Sequence, residues 1–305
     1  MPSASGIVLL DKPEGVTSFQ AISGVKRSLG STRVGHTGTL DRFATGLLVL
    51  VCGRSTTLAG VFQGLEKCYE AVMRLGTRTD TLDPEGEIVE TAPLPPLASL
   101  ERSLPLFVGE IEQAPPAFSA LHLRGQRAHV LARAGERVDL PARRVRVHSL
   151  EILGFDPPDL RIRVLCSRGT YVRALARDLA AGAGSCAHLR ALRRTRVGPF
   201  DVREAVQPER FSPERDLLEP GRLIAERGLL PVVRVRAACV PALLAGTPLR
   251  DEMLEGAPPG CGPVACLDAR DSLLAVAQRG ARGYRYLAVF PEGAGAHGPS
   301  TAGEG

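Results

Sequence analysis

The sequence predicts an α+β fold whose main sheet is mixed and mainly antiparallel. Apolar and charged residues alternate from Leu160 to Cys166, which is the period of a half-buried strand. Helical spacing of apolar residues follows Thr17 and again follows Thr170, so helices are interleaved with the strands. After Pro231, short β-type stretches are separated by Gly and Pro, which indicates a small additional β module.

The first quarter of the chain predicts three strands and two helices. A first helix begins after Thr17 or Ser18, which are good N-caps, and a second covers residues 55–65. The strands are expected at residues 7–10, 47–51 and 67–75. The first helix is expected to bury one face, formed by Phe19, Ile22, Val25 and Leu29.

The rest of the chain predicts further strands and two more helices. Residues 77–86 are polar and acidic and are expected to form a long loop. One helix is predicted over residues 97–104, with Pro105 as its stop, and Thr170 is expected to cap the other. The remaining strands are expected at residues 143–153, 160–166, 188–195, 232–235, 264–267, 273–276 and 286–289.

A chain of 305 residues is expected to form more than one domain. We place a first domain at residues 1–232 and a second, smaller β domain at residues 233–292. Residues 293–305 are rich in Gly, Ala and Ser, and we expect them to be a disordered tail.

The positive charge is unevenly distributed along the chain. The net charge is +5, yet residues 161–200 contain nine Arg and a single acid, Asp178. Residues 117–150 add seven Arg against Glu136 and Asp139. Concentrated arginine suits contacts with phosphates, which favours a polyanionic partner over the alternative of a solvated, arginine-rich surface.

The cysteines and the hydropathy pattern indicate a cytoplasmic protein. Seven cysteines are scattered without a CxxC pair, so we expect free thiols. No apolar run reaches transmembrane length and no signal peptide is evident, so a membrane location is not expected.

The stretch from Gly35 to Asp41 is the most informative part of the chain. It places one carboxylate, Asp41, in a loop built from glycines and threonines, between apolar segments. The glycines allow the backbone to approach a ligand closely. Taken alone, such an aspartate would more often close an Asx turn.

Further motifs lie before and after this stretch and change that interpretation. Together they resemble the bacterial tRNA pseudouridine-55 synthases of the TruB family over roughly residues 6 to 200. The motifs are Lys12-Pro13-x-Gly15-x-Thr17-Ser18, Gly35-His36-Thr37-Gly38-Thr39-Leu40-Asp41, Ala44-Thr45-Gly46-Leu47-Leu48, Lys67-x-Tyr69-x-Ala71, Gln113-x-Pro115-Pro116-x-Phe118-Ser119-Ala120-Leu121, Ser167-x-Gly169-Thr170-Tyr171-Val172-Arg173 and Leu192-Arg193-Arg194.

The resemblance implies a pseudouridine-synthase core with the active cleft across the middle of the sheet. It also implies a basic subdomain inserted at about residues 117–150 that grips the T arm of tRNA, and a PUA-like C-terminal module. The implied reaction converts uridine 55 of the T loop to pseudouridine by base flipping, glycosidic cleavage and reattachment through C5. No cofactor, metal or protein partner is implied, and we expect a monomer.

The resemblance also assigns roles to individual residues. Asp41 matches the catalytic aspartate, and whether it acts as nucleophile or base stays open. Arg173 matches the arginine that pairs with the aspartate, and Tyr69 matches the aromatic that stacks on the target base. The substrate-binding positions that the resemblance implies are His36, Tyr171, Leu192 and Lys12, of which Lys12 also suits structural support of the loop, and we add Arg42, next to Asp41, as a further candidate.

Arg42 and Phe43 depart from the pattern, because the family usually has Pro and Leu after the catalytic aspartate. This departure places a cation next to the reactive carboxylate.

Three other functions fit parts of the sequence. A non-catalytic RNA-binding or tRNA-folding protein with the same fold would not need Asp41, Tyr69 and Arg173 together. The guide-dependent branch of the superfamily is disfavoured by the basic segment between Pro116 and Arg143. A glycoside hydrolase normally needs two carboxylates, and the Asp41 motif offers one.

Overall fold

One large sheet of nine strands, counted within the described residues, carries the candidate site. The computed structural model describes residues 5–30, 33–119, 122–123, 126–127, 131, 140–256, 260–281 and 283–291. The strands up to residue 201 are β1 (Gly6–Lys12), β2 (Val34–His36), β3 (Thr45–Cys52), β4 (Lys67–Leu75), β5 (Thr77–Thr79), β6 (Ile88–Thr91), β7 (Gly109–Gln113), β8 (His122–Leu123), β9 (Gln126–Arg127), β10 (Arg143–Asp156), β11 (Asp159–Cys166), β12 (Ala187–Val197) and β13 (Phe200–Asp201).

The strand order of the large sheet is β1-β3-β12-β4-β11-β10-β7, with β2 paired to β3 and β13 paired to β12. Every pairing is antiparallel except the one between β12 and β3, which joins Arg193 to Thr45 and Arg194 to Gly46. The predicted mixed, mainly antiparallel sheet is therefore confirmed. The short parallel contact is the point where two halves of the sheet meet.

The helices are short, apart from one that packs across the sheet. They are α1 (Ser18–Ala21), α2 (Ser23–Ser28), α3 (Ala59–Gln63), α4 (Leu97–Ser103), α5 (Val172–Gly182), α6 (Pro213–Asp216), α7 (Pro220–Arg227) and α8 (Val240–Leu244). A 3-10 segment, Gly53–Leu58, precedes α3. In α5, Leu175 and Leu179 are fully buried, and burial of each leucine side chain contributes roughly 1.5–3 kcal/mol.

The first predicted helix needs a correction. Thr17 caps α1 through a capping box with Gln20, as the sequence suggested, but the helix breaks at Ile22 and α2 starts afresh. The break changes the phase of the apolar positions, so Val25 is buried whereas Phe19 is 69% exposed. The prediction that Phe19 lies on the buried face is wrong.

Two local predictions around α5 and the acidic segment are also wrong. Residues 77–86 do not form a long open loop, because Thr77 to Thr79 pair with Ile88 to Thr91 in the hairpin β5–β6. Its turn is closed by Asp80, whose Oδ1 accepts the backbone N–H groups of Thr81 and Glu87. Thr170 does not cap α5, since its hydroxyl donates to Ser167 O and the N-cap residue is Tyr171.

The two faces of the sheet differ in what covers them. We call the face of β4 that carries Tyr69, Ala71 and Met73 the inner face, and α5 and the Asp41 loop pack against it. We call the opposite face, which carries Glu70 and Arg74, the outer face. Alternation along β4 thus separates apolar from charged residues, as expected for a half-buried strand.

A second sheet of five strands lies at the C-terminal end. Its strands are β14 (Val232–Val235), β15 (Leu254–Glu255), β16 (Gly262–Leu267), β17 (Leu273–Gly280) and β18 (Gly283–Val289), in the order β15-β14-β16-β17-β18. Leu267 and Val276 of this sheet share a hydrophobic cluster with Leu9 and Val49 of the large sheet. The boundary between residues 232 and 233 stays a prediction, as does the PUA-like nature of the module.

Two further predictions concern residues that are largely or wholly outside the described ranges. Much of the predicted insertion at residues 117–150 is not described, and neither is residue 292 or the predicted tail at 293–305. Within the described ranges, no helix has the length and apolar character needed to cross a membrane.

Candidate active site

The loop that carries Asp41 is fixed by α1 from one side. The hydroxyl of Ser18 accepts the backbone N–H of Leu40 at 2.9 Å and donates to the Leu40 carbonyl at 3.0 Å. Ser18 is buried, so both hydrogen bonds are shielded from water. The residue before Asp41 is therefore clamped by the helix start that Thr17 caps.

Lys12 also fixes the Asp41 loop, through hydrogen bonds to backbone carbonyls. Its ammonium donates to the carbonyls of Pro13 at 2.9 Å, Val16 at 2.7 Å and Arg42 at 3.3 Å, and the residue is fully buried. Burial lowers the pKa of Lys12 to about 8, partly offset by the charge of Asp41. This position favours support of the loop over direct contact with a substrate.

Arg173, at the start of α5, ties three separate segments to Asp41. Its Nε lies 3.0 Å from Asp41 Oδ2, and its Nη1 donates to Asp83 Oδ2 at 3.0 Å. The same guanidinium donates to the carbonyls of Thr81 at 2.8 Å and Phe118 at 2.9 Å. With 4% of its side chain exposed, Arg173 is held in one orientation by hydrogen bonds from both Nη atoms, while its Nε faces Asp41 as an ion pair.

Asp41 itself remains open to the cleft. Its side chain is 39% exposed, whereas those of Arg173 and Asp83 are buried. Partial desolvation raises the pKa of Asp41, and the Asp83 carboxylate adds to this, while Arg173 and Lys12 oppose it. The site therefore holds a carboxylate that is aimed by a buried cation and can still reach a ligand.

Tyr69 and Leu192 form the wall of the inner face next to this carboxylate. Tyr69 is half-buried on β4, and Leu192 lies on the adjacent strand, β12, opposite Ala71. Both contact the main hydrophobic cluster, which also contains Leu40 and Phe43 of the Asp41 loop. Burial raises the pKa of Tyr69, and a hydrogen bond with Arg194 opposes the rise.

His36 lies at the end of β2, just before the Asp41 loop. Burial and then the charge of Arg194 lower its pKa, so the imidazole is neutral at pH 7. Among the described residues its buried Nδ1 has no hydrogen-bond partner. A buried polar atom without a partner is uncommon in a folded protein and marks His36 as a residue whose role needs explanation.

Tyr171 and Arg42 are neighbours in sequence of the Arg173–Asp41 pair, since Tyr171 lies two residues before Arg173 and Arg42 follows Asp41. The backbone of Tyr171 is held by Gln113, which accepts its N–H at 2.8 Å and donates to its carbonyl at 3.1 Å. The side chain of Arg42 is 62% exposed, donates to Gly15 O at 2.8 Å and lies 3.9 Å from Glu85. Arg42 is thus an exposed cation at the mouth of the cleft.

The structure adds two residues that sequence reasoning missed. Asp83 was hidden in an acidic segment interpreted as a loop, although the Asp-Pro-Glu-Gly run at 83–86 is a turn signal that could have indicated its fixed position. Arg194 was quoted within a motif without a role, yet it is 2% exposed and contacts the Asp41 loop.

The arginines of residues 161–200 do not form one surface beside Asp41. Arg173 and Arg194 are buried in the site. Arg163 pairs with Glu70 on the outer face at 2.8 Å, and Arg193 pairs with Asp11 at 2.8 Å. Alternation along the strands divides these charges between the two faces, so local charge density in the sequence overstates the cationic area near the site.

The fold resembles that of solved RNA-protein assemblies. A chain in the crystal structure of a Cbf5-Nop10-Gar1 complex is 26% identical, with a TM-score of 0.65, and the match covers 90% of this chain and 78% of that one. A chain in the archaeal box H/ACA sRNP Nop10-Cbf5 complex matches at 24% identity with a TM-score of 0.66, over 93% and 85% of the two chains. The fold class is that of these Cbf5 structures.

Comparison with curated sequences gives the family. The model of the TruB family pseudouridylate synthase N-terminal domain matches residues 26–172. The tRNA pseudouridine synthase B of Leifsonia xyli subsp. xyli is 42% identical, over 94% of this chain and 97% of that protein. The protein of the same name from Thermobifida fusca is 45% identical, over 77% and 83% of the two chains. The chain belongs to the TruB family of pseudouridylate synthases.

Proposed function

We propose that this protein isomerises uridine 55 in the T loop of tRNA to pseudouridine. The observation that carries the proposal is the open carboxylate of Asp41, aimed by the buried guanidinium of Arg173 at 3.0 Å. The names of the relatives, which are tRNA pseudouridine synthases B, support tRNA as the substrate. Position 55 and the T arm rest on the resemblance of the motifs.

The reaction rearranges bonds without a net gain or loss of atoms. The C1′–N1 bond breaks, the uracil turns, a C1′–C5 bond forms, C5 loses a proton and N1 gains one. No oxidant or external nucleophile is consumed. The step needs one ionised carboxylate at the sugar–base junction, whether it attacks carbon or removes a proton, and Arg173 stabilises that ionised form of Asp41.

The cleft offers complementary surroundings for a flipped nucleotide. A uridine must leave its stack to reach a carboxylate at the centre of a sheet. We assign Tyr69 as the ring that stacks on the base, with Leu192 and Tyr171 as apolar walls. His36 offers an unprotonated nitrogen to the T loop, and Arg42 offers a cation to a phosphate.

We further propose that the chain works as a stand-alone monomer in the cytoplasm. All seven cysteines are free, which fits a reducing compartment. The Cbf5 neighbours were solved with Nop10, and in one case also with Gar1, whereas the basic segment between Pro116 and Arg143 of this chain favours a stand-alone tRNA enzyme.

The proposal is tested with tRNA transcripts labelled with tritium at C5 of uracil. Wild-type protein is expected to release tritium from a transcript with U55, and to release none above background from the same transcript with cytidine at position 55. Equal release from both would show a different target. No release, with intact tRNA binding, would favour a tRNA-binding or tRNA-folding protein that lacks catalysis.

A further inference from the structure

Arg194 is a buried cation that the proposed chemistry leaves without a role. It lies on β12 on the same face of the sheet as Tyr69, and 2% of the residue is exposed. Its Nε donates to the carbonyl of Leu47 at 2.7 Å, and its Nη2 donates to the carbonyl of Gly38 at 3.0 Å. One guanidinium thus joins β12, β3 and the Asp41 loop.

The position of Arg194 in the sheet gives these contacts their importance. Arg194 pairs with Gly46, and with the neighbouring pair of Arg193 and Thr45 it forms the complete parallel contact between β12 and β3. A Cβ atom on Gly46 would lie 2.3 Å from the Arg194 carbonyl oxygen, and Gly46 has a φ of +104°. Only glycine permits this approach, so Gly46 allows the backbones of β3 and β12 to lie in close contact at the parallel pairing.

The same guanidinium acts on the side chains around the cleft. Tyr69 lies opposite Arg194 in the sheet register, and the charge of Arg194 opposes the rise that burial causes in the Tyr69 pKa. The charge of Arg194 also lowers the pKa values of His36, Lys12 and Lys67, in each case after the larger effect of burial. Arg194 therefore acts electrostatically on side chains from three strands, β1, β2 and β4, and binds a backbone carbonyl of a fourth, β3.

We propose that Arg194 is a positioning residue of this site, which joins the Asp41 loop to β12 and fixes the ring of Tyr69. It does not touch the reacting atoms. Its planar fork holds the carbonyls of Leu47 and Gly38, the latter three residues before Asp41, while its charge faces the stacking ring of Tyr69 across the strand pair. An arginine suits this task because its donors have fixed relative directions, whereas a lysine offers one ammonium.

The test compares Arg194→Gln and Arg194→Lys with Arg196→Gln, an exposed arginine on the same strand. In Arg194→Gln we expect kcat for the proposed isomerisation to fall by about 100-fold with KM within about threefold, since misplacement near 1 Å has effects of that size. Arg194→Lys is expected to recover part of kcat, and Arg196→Gln is expected to match wild type.

A second readout separates positioning from general loss of structure. The His36 ring is titrated by NMR, with the resonance assigned from a His36→Gln variant. We expect the His36 pKa to rise in Arg194→Gln and to stay near the wild-type value in Arg194→Lys, which keeps the charge. Wild-type activity and an unchanged His36 titration in Arg194→Gln would overturn the inference. Equal losses of activity and thermal stability in both Arg194 variants would also overturn it.

The inference rests on the proposed function only for its kinetic readout. An inactive wild-type protein would contradict the proposed function, whereas the titration of His36 would still decide whether Arg194 acts on the cleft. If Arg194→Gln does not fold, the kinetics of Arg194→Lys decide: a wild-type kcat in that variant would contradict the fork geometry.

Discussion

Two aspartate–arginine networks lie on opposite faces of the same sheet. On the inner face, Arg173 lies between Asp41 and Asp83 and is buried. On the outer face, Asp159 lies between Arg74 and Arg190. The inner network has one cation between two anions, and the outer network has the reverse.

Burial gives the two networks opposite effects on their carboxylates. On the inner face, desolvation raises the pKa of Asp41 despite its arginine partner. On the outer face, desolvation is outweighed by hydrogen bonds from Arg74 and Arg190, which lower the pKa of Asp159. The same pairing of aspartate with arginine thus gives a carboxylate with a raised pKa on the inner face and a carboxylate with a lowered pKa on the outer face.

The largest expected effect comes from replacing the inner arginine. Arg173→Lys should lower kcat by at least about 100-fold, since a preorganised charged donor contributes on that scale. Lysine cannot bond Asp41, Asp83 and two carbonyls at once. Single-turnover kinetics measures the loss, and Arg74→Lys on the outer face should stay within about twofold of wild type. Similar losses in both variants would remove the distinction between the networks.

Removal of Asp83 should affect both stability and activity. Asp83→Asn leaves the buried Arg173 with one fewer charged acceptor, which should lower the free energy of unfolding by about 1–3 kcal/mol. The matched variant Asp159→Asn should cost less, because its partners Arg74 and Arg190 are 35% and 59% exposed and can be rehydrated, and pairs of this kind contribute about 0–1 kcal/mol. Urea unfolding at pH 7 measures both. A smaller loss for Asp83→Asn than for Asp159→Asn would contradict the assigned burial.

The pH dependence of the reaction rate should shift when the charge of Asp83 is removed by Asp83→Asn. The ionised form of Asp41 is required, so the rate should rise with pH through an apparent pKa above the ordinary aspartate value. The Asp83 charge raises the pKa of Asp41, so Asp83→Asn should shift this acidic limb to lower pH. Single-turnover rates from pH 4 to 8 test the direction, and a shift to higher pH would exclude the proposed coupling.

The smallest expected effects concern the salt dependence of tRNA binding. Arg42→Gln should reduce the slope of log affinity for tRNA against log salt by about one unit, as expected for one lost phosphate contact. Arg163→Gln, on the outer face, should leave the slope unchanged. Filter binding across a salt series measures both slopes. An effect of Arg163→Gln that equals that of Arg42→Gln would place RNA on the outer face.

The sequence predicted the regular elements well where the apolar period was unambiguous. The strands β3, β4, β11 and β12 were all expected near their observed positions, because each buries alternate or continuous apolar residues. The motifs also brought Asp41 and Arg173 together, although 132 residues separate them. That pairing came from a family resemblance, since no local pattern reports a contact at such a distance.

The sequence was less informative where tertiary contacts decide the outcome. Phe19 has the spacing of a buried residue, but the break at Ile22 exposes it. Asp83 resembles any turn aspartate until Arg173 is placed beside it. Arg163 and Arg193 increase the charge of their segment, yet they point away from the cleft. For Asp83, Arg163 and Arg193 the deciding partner lies far away in the chain, whereas for Phe19 it is a nearby helix break.

The central claim is that the inner carboxylate performs chemistry and the outer one does not. Its most direct test is tritium release from C5-labelled tRNA by Asp41→Asn and Asp159→Asn, with tRNA affinity measured for each. We expect Asp41→Asn to bind tRNA about as well as wild type and to release no tritium, and Asp159→Asn to release it at the wild-type rate. Substantial release by Asp41→Asn would contradict the account.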